Sequence, residues 1–115
     1  AMKNRMKIDR VYYKDLLYNV ALAYRGAGSV YYDQGIEIIT KLNNAETVSF
    51  PDKKEAVNNL KVSIEYFTEA RYYFLEAEVE ELEGANESAK HLKEIIKLTK
   101  ETYIPFLDEN NPDKD

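Results

Sequence analysis

Apolar positions in this chain recur at spacings of three and four residues almost from end to end, and no stretch shows the sustained alternation of a strand. The pattern predicts an all-α protein of four main helices. The first covers about residues 8–26, where Ile8, Tyr12, Leu16, Val20 and Ala23 form a stripe widened by Leu17, Ala21 and Tyr24. Gly26 and Gly28 read as its stop, because glycine accepts positive φ without steric cost. The second covers residues 29–43, with Gly35, Ile36, Ile39 and Leu42 on one face. So short a connection predicts an antiparallel hairpin over residues 8–43.

Residues 43–52 read as a loop. Asp52 and Glu55 have the spacing of a capping box, with Pro51 just ahead of them. No glycine or proline follows until Gly84, so the third helix should be long, about 45 Å at 1.5 Å per residue. Its stripe is Ala56, Leu60, Ser63 or Ile64, Phe67, Ala70, Phe74 and Ala77. A helix of that length outruns short neighbours. It must bend, or pack its surplus on another chain. Gly84 stops it, and Asn86 is a suitable cap for a fourth helix over residues 87–103, with Ala89, Leu92, Ile95 or Ile96, Thr99 and Tyr103 inward. These two helices make a second hairpin over residues 52–103. Pro105 ends or kinks the fourth helix, Phe106 and Leu107 fold back on the core, and residues 108–115 form a flexible acidic tail.

Composition narrows the chemistry. The chain has 115 residues, the size of one small domain, and 44% of them are hydrophobic, enough for a core. It has no cysteine and a single histidine, which removes disulfides, thiolate metal sites, cysteine nucleophiles and multi-histidine centres. A net charge of -5 argues against nucleic acid as a partner. Charge is unevenly spread, however. Lys3, Arg5, Lys7, Arg10, Lys14 and Arg25 face only Asp9 and Asp15 within residues 1–26, whereas residues 51–84 are dominated by acids. The two segments are expected to attract each other within the fold, or to meet charged partners. No apolar run approaches the length needed to span a bilayer, and no signal peptide is evident, so a cytoplasmic location is the default expectation. Ala1 ahead of Met2 reads as the remnant of a cleaved tag and leaves a longer parent chain open.

Residues 17–42 resemble a tetratricopeptide repeat, a helix–turn–helix unit of about 34 residues. Tyr18, Asn19, Val20 and Ala21 match its first-helix core, Tyr24 its tyrosine, Gly28 its turn and Gly35 the small residue of its second helix. A second partial match runs from Tyr73 through Ala77 and Gly84 to Ala89, with Glu80 where the repeat has an aromatic residue. The resemblance implies a helical-repeat arrangement and a binding function, with partners lying against the first helices of the hairpins. By that analogy the partner-binding positions are Lys14, Tyr18, Leu22, Arg25, Arg71, Phe74 and Glu78, with Asp15 beside them.

Other constellations have plainer readings. Ten tyrosines, with doublets at Tyr12-Tyr13, Tyr31-Tyr32 and Tyr72-Tyr73, are the main compositional oddity. Helix neighbours are about 100° apart, so one of each pair can enter the core while the other stands at its edge. A tyrosine-rich contact surface is the functional version of the same pattern, with Tyr18 and Arg25 as its leading residues. Glu87, His91 and Glu94 share a helix face but read as a solvated, salt-linked surface. Residues 26–29 lack the lysine and preceding strand of a phosphate loop. Asn86-Glu87-Ser88 matches a glycosylation acceptor, yet capping accounts for Asn86. Nothing points to a nucleophile, a metal or a cofactor. The expectation is a protein–protein interaction or scaffold module without catalysis, recognising a protein or peptide on a tyrosine-rich helical surface. A homo-oligomeric structural bundle is the alternative, and a small-ligand binder or enzyme comes third.

Overall fold

Two long helices lie against each other along most of their length, and a third, shorter one runs back beside them. The computed structural model describes residues 2–79 and 84–109, with side chains at Tyr13, from Asp15 to Ala77 and from Gly84 to Asp108. Helix α1 spans Met2–Asn43, α2 spans Phe50–Val79 and α3 spans Ala85–Leu98. A π-helical turn, Thr99–Tyr103, joins α3 to the short α4, Ile104–Glu109. There is no strand among the described residues. The molecule is a rod with extents of 65 × 24 × 20 Å.

The predicted first hairpin is not present. The stretch read as two helices, residues 8–43, lies within the single helix α1, and so does the segment that resembles a tetratricopeptide repeat. The reason lies in what the glycines do. Neither Gly26 nor Gly28 has positive φ. A Cβ on Gly28 would lie 2.7 Å from the Phe67 ring, and one on Gly35 would fall inside the Leu60 side chain. These two glycines let α2 approach α1, and they are not turns.

The contacts fix an antiparallel register and show why the helices fit. Ala21, Gly28 and Gly35 recur every seventh residue on α1. Opposite them, Phe74, Phe67 and Leu60 recur every seventh residue on α2, and all three are buried. Halfway between, the sizes reverse. In this register Leu17, Tyr24, Tyr32 and Ile39 of α1 fall level with Ala77, Ala70, Ser63 and Ala56 of α2. Large residues enter spaces left by small ones on both sides, as in a coiled coil whose apolar period is about 3.5 residues. The stripe expected on α2 is the observed one, with Ser63 and not Ile64 in the seam. Ser63 is tolerated there because its hydroxyl donates to the Leu60 carbonyl at 2.6 Å. On α1 the expected stripe is displaced. Leu16 is 58% exposed and Ala23 is exposed, whereas Leu17 and Ala21 are buried. Ile8 and Tyr12 lie outside the described side chains.

The helix ends differ from expectation by a few residues. The loop between α1 and α2 begins with bonds from Glu46 N–H to Lys41 O and from Ala45 N–H to Leu42 O. This is a Schellman arrangement, with Ala45 rather than glycine in the left-handed position at φ 60°. Helix α2 is capped by Ser49, whose hydroxyl accepts the Asp52 N–H at 3.3 Å, so Asp52 is in the first turn and not the cap. Pro51 is accommodated there because first-turn N–H groups have no intrahelical partner. Gly84, at φ 87°, caps α3 in place of Asn86. The long helix α2 has no surplus to bury elsewhere, since α1 is longer still.

Pro105 neither ends the last helix nor breaks it sharply. The turn before it widens, with the Ile104 N–H bonded to Thr99 O five residues back. Such a bulge relieves the clash between a proline ring and the preceding turn. The buried Thr99 hydroxyl donates to Ile95 O at 2.7 Å. The helix then carries Leu107 into a cluster with Ile39, Ala56, Val57 and Leu60.

The glycines separate two effects that a sequence alone confounds. An added Cβ on exposed Gly26 meets nothing within 4 Å. Gly26→Ala should therefore raise stability by about 1 kcal/mol through helix propensity. Gly35→Ala should lower it by about 1–3 kcal/mol by forcing Leu60 out of place. Urea unfolding followed by circular dichroism reads both, and equal effects of the same sign would contradict the close-approach role. Ala45→Gly should add about 0.5–1 kcal/mol by removing the left-handed strain.

Candidate functional site

The α1/α2 seam has two flanks, and the third helix covers one of them. At about 100° per residue, Tyr18, Leu22, Arg25, Tyr32 and Ile36 of α1 lie on one side of the seam, and Tyr13, Tyr24, Tyr31 and Ile38 on the other. On α2 the corresponding sets are Val57, Ile64 and Arg71, and Asn59, Tyr66 and Tyr73. The first flank is occupied. Leu22 joins the cluster that holds Ala89 and Leu92, Tyr32 meets the Tyr103 ring at 6.2 Å, and Leu107 sits beside Val57.

The second flank carries a chain of tyrosine rings. Tyr31 stacks on Tyr66 at 5.8 Å, Tyr66 lies 6.2 Å from Tyr24, and Tyr24 stacks on Tyr73 at 5.6 Å and 4° between planes. Tyr72 closes edge-on against Tyr73 at 5.3 Å. Each such contact contributes about 0.5–1.5 kcal/mol beyond area burial. The far end is open to solvent, with Tyr13 50% exposed and Tyr72 56% exposed. Burial pushes the Tyr73 hydroxyl above its ordinary pKa, reinforced by neighbouring Tyr24 and Glu69.

Charge is sorted about this flank. Glu65 and Glu69 border a surface depression with Tyr24, Val62 and Tyr66. Further along, Glu37, Asp52 and Glu55 border a second depression with Gln34, Ile38 and Asn59. Lys41 lies 3.8 Å from Glu37. By contrast, Lys53, Lys54 and Lys61 gather on the opposite flank of α2 near Asp108.

The residues expected from sequence to meet a partner are drawn together, but around the core. Phe74 is 0% exposed. Tyr18 packs edge-on against it at 5.4 Å, and the Arg25 guanidinium lies 5.6 Å from its ring centre. Arg71 is half-buried, and its Nε is buried without a hydrogen-bond partner. Leu22 is half-buried against the same cluster, while Asp15 is exposed. The Lys14 and Glu78 side chains lie outside the described residues, as do Glu80, Glu81 and Glu83 of the acidic stretch. The flank assigned to a partner by analogy is the one that the chain's own third helix fills.

The doublets behave as expected where side chains are described. Tyr31 faces the open flank, and Tyr32 turns toward Phe67 and Tyr103. The ring chain itself left a signal not used above: Tyr24 and Tyr31, like Tyr66 and Tyr73, are seven residues apart on facing helices. Glu87, His91 and Glu94 are exposed, and no group of three or more acids or histidines among the described residues is arranged to hold a metal. No described helix is long and apolar enough to cross a membrane. No protein-family model, curated protein or solved structure matches the chain.

Tyr32 gives this region a pH signature. Burial, then a hydroxyl hydrogen bond with Tyr103, raises its pKa to about 12. The unfolded chain releases this proton near pH 10 while the folded chain retains it. Its contribution to stability is thus complete below about pH 10 and is lost as pH rises toward about 12. Thermal melts across that window should fall steeply for the wild type and less steeply for Tyr32→Phe, which should cost about 1 kcal/mol at neutral pH.

Proposed function

We propose that this protein is an interaction module without catalytic chemistry, and that it binds a protein or peptide partner along the tyrosine-lined flank of α1 and α2. The observation that carries this reading is the unbroken row from Tyr31 through Tyr66, Tyr24 and Tyr73 to the exposed Tyr72. Tyrosine gives a large, stiff apolar contact with a polar tip, and it is enriched among residues that dominate interface energies. The row lies in the trough between two helices, where a further helix or extended segment can lie parallel to both. The flank is also pre-formed. Its rings are stacked on a rigid seam, so little side-chain entropy remains to be lost on binding.

The partner-binding residues on this reading are Tyr13, Tyr24, Tyr31, Tyr66, Tyr72 and Tyr73. Peptides selected from a random library on the wild-type chain test the assignment. Their affinity should fall at least tenfold for Tyr24→Ala with Tyr66→Ala, and several-fold for the exposed Tyr72→Ser. It should be unchanged by Leu98→Ala, on an exposed position of α3. Binders indifferent to all the tyrosine changes, with circular dichroism confirming folded variants, would remove this flank from consideration.

A further inference from the structure

The tyrosine flank has a second property that bears on what lies in it. Its border is acidic at both depressions, through Glu65 and Glu69 at one and Glu37, Asp52 and Glu55 at the other. Neither depression is lined by a base among the described residues, and nearby Lys41 stands within ion-pair distance of Glu37. Two such flanks brought face to face would place like charges together, which opposes a symmetric groove-on-groove pairing. The occupant that fits is an apolar helix with basic residues.

The chain carries one. With Gly28 against Phe67 and Gly35 against Leu60, the antiparallel register brings Val79, the last residue of α2, opposite Leu16. Helix α1 begins at Met2, so residues 2–15 run on beyond the end of α2. That segment is about 21 Å of helix at 1.5 Å per residue. It holds Lys3, Arg5, Lys7, Arg10 and Lys14 against Asp9 and Asp15, together with Ile8, Val11, Tyr12 and Tyr13. A basic helical arm and an acidic aromatic trough thus stand at different places on one rod.

We infer that the partner for the tyrosine flank is a second copy of this chain, with the arm of residues 2–15 from each copy lying in the trough of the other. The inference rests on the interaction reading above and names its occupant. Opposite charge supplies orientation and encounter, and the tyrosine rings supply the apolar contact. Because each copy both gives an arm and accepts one, the exchange closes as a two-fold dimer.

Two charge-reversed variants test it, each altering exposed or arm positions and leaving the seam untouched. Glu65→Lys with Glu69→Lys makes the trough basic, and Lys7→Glu with Arg10→Glu makes the arm acidic. Light scattering after size exclusion, over a concentration series, should show a dimer for the wild type that weakens from 50 to 500 mM salt by about tenfold or more. Each variant alone should lose dimer affinity at least tenfold. An equimolar mixture of the two should regain it, because every arm then finds a trough of opposite charge. A wild type that stays monomeric throughout overturns the self-partnering and leaves the flank's role to the peptide-binding result. A dimer insensitive to both reversals overturns it too. If that dimer also survives Tyr24→Ala with Tyr66→Ala while the selected peptides no longer depend on these residues, the flank reading fails with it.

Discussion

Close approach of α1 and α2 at two glycines is the constraint on which the rest of the architecture depends. Gly28 and Gly35 leave no room for a Cβ because Phe67 and Leu60 occupy the space. The alternation of large and small residues continues along both helices, so the seam has one register in which every knob finds a hole. Sliding either helix by a turn would set phenylalanine against tyrosine and glycine against alanine, giving overpacking at one level and a cavity at the next. A rod 65 Å long with little depth cannot rely on a thick core, and this local fit takes its place.

The aromatic chain follows from that approach. Rings on neighbouring helices stack only when the backbones are near enough, and the glycines bring them there. Tyrosines seven residues apart on α1 then alternate with tyrosines seven residues apart on α2, forming one row. The other flank of the same seam is completed by α3 and α4, and the π-turn before Pro105 lets the helix continue far enough to deliver Leu107 to the distal cluster. One seam therefore produces a closed flank with a conventional apolar cluster and an open flank with aromatic residues and acids. The polar tips of the tyrosines make the open flank tolerable in water.

Charge sorting follows the same division. The lysines of α2 gather toward α4, Glu65 and Glu69 border Tyr24 and Tyr66, and Asp52 and Glu55 border the second depression. Such separation on one helix has little effect on folding, because exposed ion pairs contribute little. A border of one sign bears more on any association, because like charges brought together oppose it.

The helical class, the long α2 with its heptad stripe, the reversal near Gly84 and the burial of Leu107 were legible in the sequence. Each depends on local periodicity, or on a glycine or proline acting where it stands. The break in α1 was misread because glycine has two uses with the same local signature. It can turn a chain through positive φ, or it can admit a neighbouring helix, and only the presence of Phe67 and Leu60 across the seam distinguishes them. Which flank of the seam stays open was hidden for a related reason. Periodicity tells which residues share a face of one helix, but a helix in a three-helix arrangement has two flanks beside its seam, and sequence does not say which flank the third helix takes. Sequence alone thus determined the helical class and the residues of α2 that line the seam. Tertiary structure decided that the first two predicted helices are one, and that Tyr24, Tyr31, Tyr66 and Tyr73 lie on the flank that the third helix leaves uncovered, because both outcomes depend on contacts between residues far apart in the chain.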